Sequence, residues 1–220
     1  MAIDGDYAIV GAPNEGVDTG NWVYYAGSAY IFVRNGNTWI EQQRIVANDP
    51  GAYAHFGASV AISGDHAIVG APFDDSNGVN SRGSAYTFVR NGNTWTQLQK
   101  LNGNNTGELH QFGTSVAMSG DYTIVGCPLY DTNGDRGAAF SYKWNGNTWA
   151  NEQRIQVNPA VYYNDFGRSV AINGDQVIVG APWETEFGIQ HTGAAYLFVR
   201  NGNTWTQQQR IEASDRENND

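Results

Sequence analysis

In the run "DTNGDRG", Asp131, Asn133 and Asp135 alternate, which places oxygen ligands at the spacing that opens a calcium loop. Arg136 and Tyr142 stand where such a loop needs its sixth-position Gly and its closing Glu, so a solvated turn is the competing reading. Asp74, Asp75 and Asn77 form a second acidic cluster. Glu184 and Glu186 are paired carboxylates that could act as acid and base if a cleft joined them. The serines of "GASVA", "GTSVA" and "GRSVA" resemble a nucleophile motif without its final glycine, and a motif made three times reads as structure. His55, His66, His110 and His191 keep no fixed spacing to one another or to Cys127. The remaining chemistry is aromatic: Trp22, Tyr24, Tyr25, Tyr53, Tyr130, Tyr162, Tyr163 and Trp183 stand among Asp, Asn and Glu. That mixture suits stacking on a sugar ring and bonding its hydroxyls, or a protein contact.

Bulk properties narrow the partners. The 220 residues carry a net charge of −10, with Lys100 and Lys143 the two lysines and the arginines scattered. A phosphate backbone needs clustered cations, so nucleic acid is excluded as an expected partner. Cys127 is alone, so no internal disulfide forms. No apolar run approaches a membrane span, and "MAIDGDYAIV" has neither the basic start nor the apolar stretch of a signal peptide. The 28 aromatic residues supply bulky core.

These residues are carried by a repeat. "VRNGNTW" stands at 33–39, 89–95 and 199–205, with "KWNGNTW" at 143–149. Around it recur "AIVGAP", "TIVGCP" or "VIVGAP", each after a Gly-Asp turn, and then "GSAYIFVR" or a close variant. Each copy reads as four short strands, a to d, because Val, Ile, Tyr, Phe and Trp favour extended chain and no segment has a helical period. Asn35-Gly36, Asn91-Gly92, Asn145-Gly146 and Asn201-Gly202 are expected to close type I′ turns between strands c and d. Asp4-Gly5 and its equivalents are expected to join a and b.

Strand a is small, strand b apolar throughout, and strand d polar. Arg44, Lys100, Arg154 and Arg210 end strand d and are expected to guard an exposed edge. This gradient predicts an all-β fold, a β-propeller of four-stranded antiparallel blades in one region over 1–220. The blades fall at about 1–47, 56–102, 112–157 and 166–212. They form either a four-bladed ring or part of a larger propeller, closed by continued chain or by self-association. Trp39, Trp95, Trp149 and Trp205 are expected to wedge between blades.

At "FGASVAISGDHAIVGAP" (56–72), "FGTSVAMSGDYTIVGCP" (112–128) and "FGRSVAINGDQVIVGAP" (166–182), the chain resembles the FG-GAP repeat family, the blades of integrin α-type propellers and of many bacterial surface proteins. The resemblance implies a propeller and a binding role outside the cell. Integrin-type repeats often hold a calcium loop between the two motifs. Here that connection offers one shared acid, Asp6, Asp65, Asp121 or Asp175, which is too few oxygens for calcium and reads as turn-stabilising.

In such a fold the a–b and c–d turns share one end and the b–c and d–a connections share the other. The second set varies strongly among copies, and variable loops on a rigid frame are where recognition resides. The expected function is therefore an extracellular or cell-surface module that binds a protein or carbohydrate through its variable loops, without catalysis and without a required cofactor. The alternatives are a glycan hydrolase or lyase using loop carboxylates, and a passive spacer.

Overall fold

A computed structural model describes residues 1–75, 78–104, 106–132, 135–157, 164–184 and 193–214. These residues are all-β and form four four-stranded antiparallel sheets, each a meander in sequence order. The first sheet holds β1 (Ala2–Asp4) and β2 (Tyr7–Ala12). A short ladder of β3 (Val17–Asp18) and β4 (Trp22–Val23) interrupts the connection to β5 (Ser28–Asn35) and β6 (Thr38–Ile45). The second contains β7 (Ser59–Ser63), β8 (His66–Ala71), β9 (Ser84–Asn91) and β10 (Thr94–Leu101). The third contains β11 (Ser115–Ser119), β12 (Tyr122–Thr132), β13 (Asp135–Trp144) and β14 (Trp149–Ile155). The fourth contains β15 (Ser169–Asn173), β16 (Gln176–Ala181), β17 (Ala194–Asn201) and β18 (Thr204–Ile211).

Consecutive sheets meet along their first strands, β1 on β7, β7 on β11 and β11 on β15. Only small residues permit this approach. A Cβ on Gly11 would run into the carbonyl of Gly57, and Gly70 and Gly126 stand in the same relation to Gly113 and Gly167. The glycines of the two recurring motifs are therefore one device, each half lying on a different sheet. Between the sheets lie three apolar clusters. The first sheet contributes Ile9, Ile31 and Ile45 to a core completed by Phe56, Val69, Phe88 and Trp95 of the second.

Polar clasps fix the joints. A bulge at Gln42 interrupts the β5–β6 register between Gln43 and Glu41. Beyond it, the Gln43 side chain donates to the Trp95 carbonyl at 2.8 Å and accepts from the Trp95 N–H at 2.7 Å. Gln99 makes the same pair of bonds to Trp149 at 3.1 and 3.0 Å. At the inner strands, the N–H groups of Gly64, Gly120 and Gly174 donate to the side chains of Asp4, Ser63 and Ser119 on the preceding sheet.

Several local expectations change. Asn35 pairs with Thr38, so the c–d turn residues are Gly36-Asn37, one place later than expected. Gly36 has φ 62° and Asn37 is not left-handed, which is the pattern of a type II′ turn rather than I′. In the third sheet Trp144 pairs with Trp149, and Asn145 caps a longer loop by accepting from the N–H groups of Asn147 and Thr148. The third b–c connection is not an irregular loop either: β12 and β13 continue as a paired hairpin, with Asp131 opposite Arg136 and Thr132 opposite Asp135.

The strand-d cations stand on the outer strand of each sheet and have partners there. Arg44 pairs with Glu15 at 3.0 Å, Lys100 with Asp74 at 2.9 Å and Arg210 with Glu184 at 2.8 Å. Each acid sits two residues after the motif proline and also accepts from a hydroxyl within its sheet. Those donors are Ser28 and Tyr30 to Glu15, Ser84 to Asp74 and Tyr196 to Glu184. The third sheet solves the same position without an acid. Tyr130 replaces it, Phe140 replaces the strand-c tyrosine, and Arg154 donates to the Tyr130 hydroxyl at 3.1 Å. Losing the acceptor and losing the donor occur together, as buried polar groups require.

Candidate functional site

The b–c and d–a segments lie at one end of the sheets because they hydrogen-bond to each other across each joint. At the first joint, the N–H groups of Tyr53, His55 and Phe56 donate to the carbonyls of Tyr24, Tyr25 and Ala26 at 2.8, 3.1 and 2.9 Å. At the second, those of Leu109, Gln111 and Phe112 donate to Asn80, Ser81 and Arg82 at 2.9, 3.2 and 3.0 Å. A parallel bridge finishes each ladder, at Gly27–Phe56, Gly83–Phe112 and, in the third joint, Gly137–Phe166.

Tyr25, Tyr53 and His55 hold φ of 51°, 60° and 55°. Left-handed backbone at residues other than glycine often marks a functional site. Here Ser81, Leu109 and Gln111 repeat the same conformation at 45°, 61° and 57°. The strain therefore belongs to the joint, and what distinguishes the first joint is its side chains.

Those side chains form a run of four rings. Tyr25 and Tyr53 stack with centroids 5.5 Å apart and planes 22° apart, and Tyr25 lies over His55 at 6.0 Å and 24°. His55 meets the edge of Phe73 at 5.3 Å. Beside them opens a cleft of about 370 Å³ lined by Tyr53, His55, Phe73, Asp75, Asn80 and Ser81, with Ala52 at its margin. Its polar wall is ordered: the Asp75 carboxylate accepts from the Ser81 N–H at 2.8 Å, and the Ser81 hydroxyl donates to the Asn80 side-chain oxygen at 3.3 Å. Tyr24, Tyr25 and Tyr53 are all exposed. Exposed aromatic faces beside a carboxylate, an amide and a hydroxyl can stack on one face of a pyranose and bond its edge.

The other expected contact residues are distributed differently. Trp22 is exposed in the β3–β4 ladder of the same loop, its ring lying against Gly16. Trp183 is exposed at the third joint, where its N–H donates to Asn164 as that of Phe73 does to Ala54. Tyr130 is not on this surface. It is 3% exposed and packs on His110 and Phe140. Tyr162, Tyr163, Asn77, Asn133, Glu186 and His191 lie outside the described residues, and the side chains of Asp131 and Asp135 are likewise outside them. Phe73 was not among the expected contacts, although it holds the position after the motif proline that Trp183 holds in the fourth copy. His55, set aside for want of a spacing partner, joins the rings through packing alone.

Among the described residues, the carboxylates offered for metal or acid–base chemistry, Asp74, Asp75 and Glu184, are engaged, as is Glu15. Burial pushes Glu15 upward, but bonds from Ser28 and Tyr30 and the Arg44 charge outweigh it, so its value falls below the ordinary carboxylate. Asp74 and Glu184 are buried in the ion pairs described above. Asp6, Asp65 and Asp175 pair with Arg34, Arg90 and Arg200 of the neighbouring strand. Among the described residues, no group of three or more His, Cys, Asp or Glu is placed to hold a metal ion.

The sequence model of the FG-GAP repeat matches residues 39–88, 95–142 and 149–198. Each matched stretch opens on a strand-d tryptophan and ends in strand c of the next sheet, so each spans one joint rather than one sheet. No curated protein matches the chain.

Proposed function

The chain belongs to the FG-GAP repeat family, and from that premise we propose that it is a β-propeller-type module, displayed outside a cell, that binds a glycan at the joint between its first two blades. Support for the propeller comes from four successive sheets meeting along small-residue first strands. The observation that carries the ligand class is the run Tyr25, Tyr53, His55 and Phe73 beside Asp75 and Asn80, with the tyrosines open to solvent. A purely structural cluster would bury its rings, as Phe56 and Phe112 do. Rigid tyrosines lose little side-chain entropy on binding, which favours them as a platform for a polar ligand.

Screening the chain against an immobilised glycan array tests this. Retention on a defined subset of glycans, lost in Tyr53→Ala with no change in melting temperature, is the expected result. Retention on no glycan, or retention that Tyr53→Ala leaves intact, contradicts it. Cleavage of a retained polysaccharide would move the reading from a binding module to a glycan-active enzyme.

A further inference from the structure

The joint between blades is built three times and its two halves can be told apart. The outgoing half centres on Ile9, Ile68 or Ile124, each 0% exposed, and the incoming half on Val69, Val125 or Val179, also 0% exposed. One half of each kind has no partner among the described residues. On the first blade Val10 is 36% and Trp39 40% exposed, whereas Trp95 and Trp149, in the same place, are 2%. A cleft of about 470 Å³ lined by Ile3, Val10, Phe32 and Trp39 marks this face. On the fourth blade Ile178 is 39% exposed, beside a second apolar recess of about 270 Å³ with Ala171 and Leu197. The polar clasps are divided the same way. Gln209 occupies the place of Gln43 and Gln99 and is exposed, while Trp39 occupies the place of the tryptophans they hold. Asn173 occupies the place of Asp4, Ser63 and Ser119, and Gly5 that of the glycines whose N–H groups they bind.

We infer that these faces are the two halves of a fourth joint and that a second copy of this chain completes it, the fourth blade of each copy packing on the first blade of the other. The inference rests on the propeller reading above. The occupant follows from continuity with an established interface: the same chain carries both complementary halves, and three internal joints show how they fit. Such a contact is head-to-tail, and it forms a closed assembly only if the rotation returns to its start. Two copies give a ring within the range of about four to eight blades that propellers adopt, whereas three exceed it. Apolar recesses open at both ends are also a large exposed surface for a lone chain.

Light scattering after size-exclusion chromatography reads the outcome. The chain is expected at twice its own mass. Ile178→Arg blocks the outgoing face and Val10→Arg the incoming one, and each variant alone is expected at the mass of one chain with its β-sheet circular dichroism intact. A wild-type chain at single mass overturns the inference. So does a folded variant that stays dimeric alone, because face-to-like-face pairing would explain it. The glycan cleft lies within the first two blades, so a single-mass chain that still binds glycan separates failure of this joint from failure of the ligand reading.

Discussion

The first and second joints share a backbone and differ in what hangs from it. Both carry the same three-rung ladder, the same left-handed residues and the same glutamine clasp on a tryptophan. Over that frame, Tyr25, Tyr53 and His55 at the first joint are matched by Ser81, Leu109 and Gln111 at the second. At the opposite end, Arg90 lies over the Tyr7 ring at 4.4 Å at the first joint, whereas Trp144 meets His66 at 4.7 Å at the second. The third joint returns to the first solution, with Arg200 over Tyr122 at 4.0 Å. Cation–π pair and aromatic pair are exchanged as pairs, so the frame tolerates variation when both partners change together.

The shared frame gives the largest expected effect. Trp95→Ala and Trp149→Ala should each cost about 3–5 kcal/mol in chemical denaturation, because each removes a buried indole from a joint. Trp39→Ala, on the open face, should cost about 1–2 kcal/mol when measured at low protein concentration. Equal losses at all three positions would break the distinction between inner joints and open faces. Next, Glu184→Ala should cost about 2 kcal/mol, since it removes the buried acceptor of the Tyr196 hydroxyl and one partner of Arg210, which keeps its pair with Glu212. An unchanged denaturation midpoint would deny that buried pair a structural role.

A smaller effect belongs to the second joint alone. Burial between Trp144 and Trp149 lowers the His66 value below 6.5, against the opposing pull of Asp65 and Asp121. The folded chain then binds this proton more weakly than the unfolded chain. The contribution is full above about pH 6.5 and is lost as the pH falls below it. His66→Gln should flatten that part of the stability profile, and a profile unaltered by the substitution would place the slope elsewhere. Least visible is the thiol. Burial raises Cys127 well above the usual thiol range, and its Sγ–H donates to the His110 carbonyl at 3.1 Å. It should react with a thiol reagent only on unfolding, and rapid labelling of the folded chain would contradict that.

The four-strand unit was legible because a two-residue side-chain period and glycine punctuation act locally. The turns were legible to within one residue: "NG" signals a hairpin, but whether Asn35 or Gly36 opens it depends on strand register. Residues that act across joints were not legible. Gln43 stands 52 positions before the tryptophan it holds, and nothing in "EQQRI" separates a clasp from a solvated glutamine. Arg44 and Lys100 read as edge cations because their acids lie in loops the sequence leaves irregular. For the candidate site, the tyrosines were visible as aromatic residues in variable loops, yet Tyr130 of the same description is buried. Tyr130 fills the place two residues after the motif proline, where the other copies carry the acid that pairs with the strand-d cation.

The most direct test is a calorimetric titration, with one array-selected glycan, of two variants set on the common backbone. The account predicts that Tyr25→Ala combined with Tyr53→Ala weakens binding at least tenfold, about 1.4 kcal/mol, while Leu109→Ala at the matching place of the second joint leaves affinity unchanged. Equal loss in both, or none in either, would contradict the claim that one repeated frame confines recognition to the side chains of its first joint.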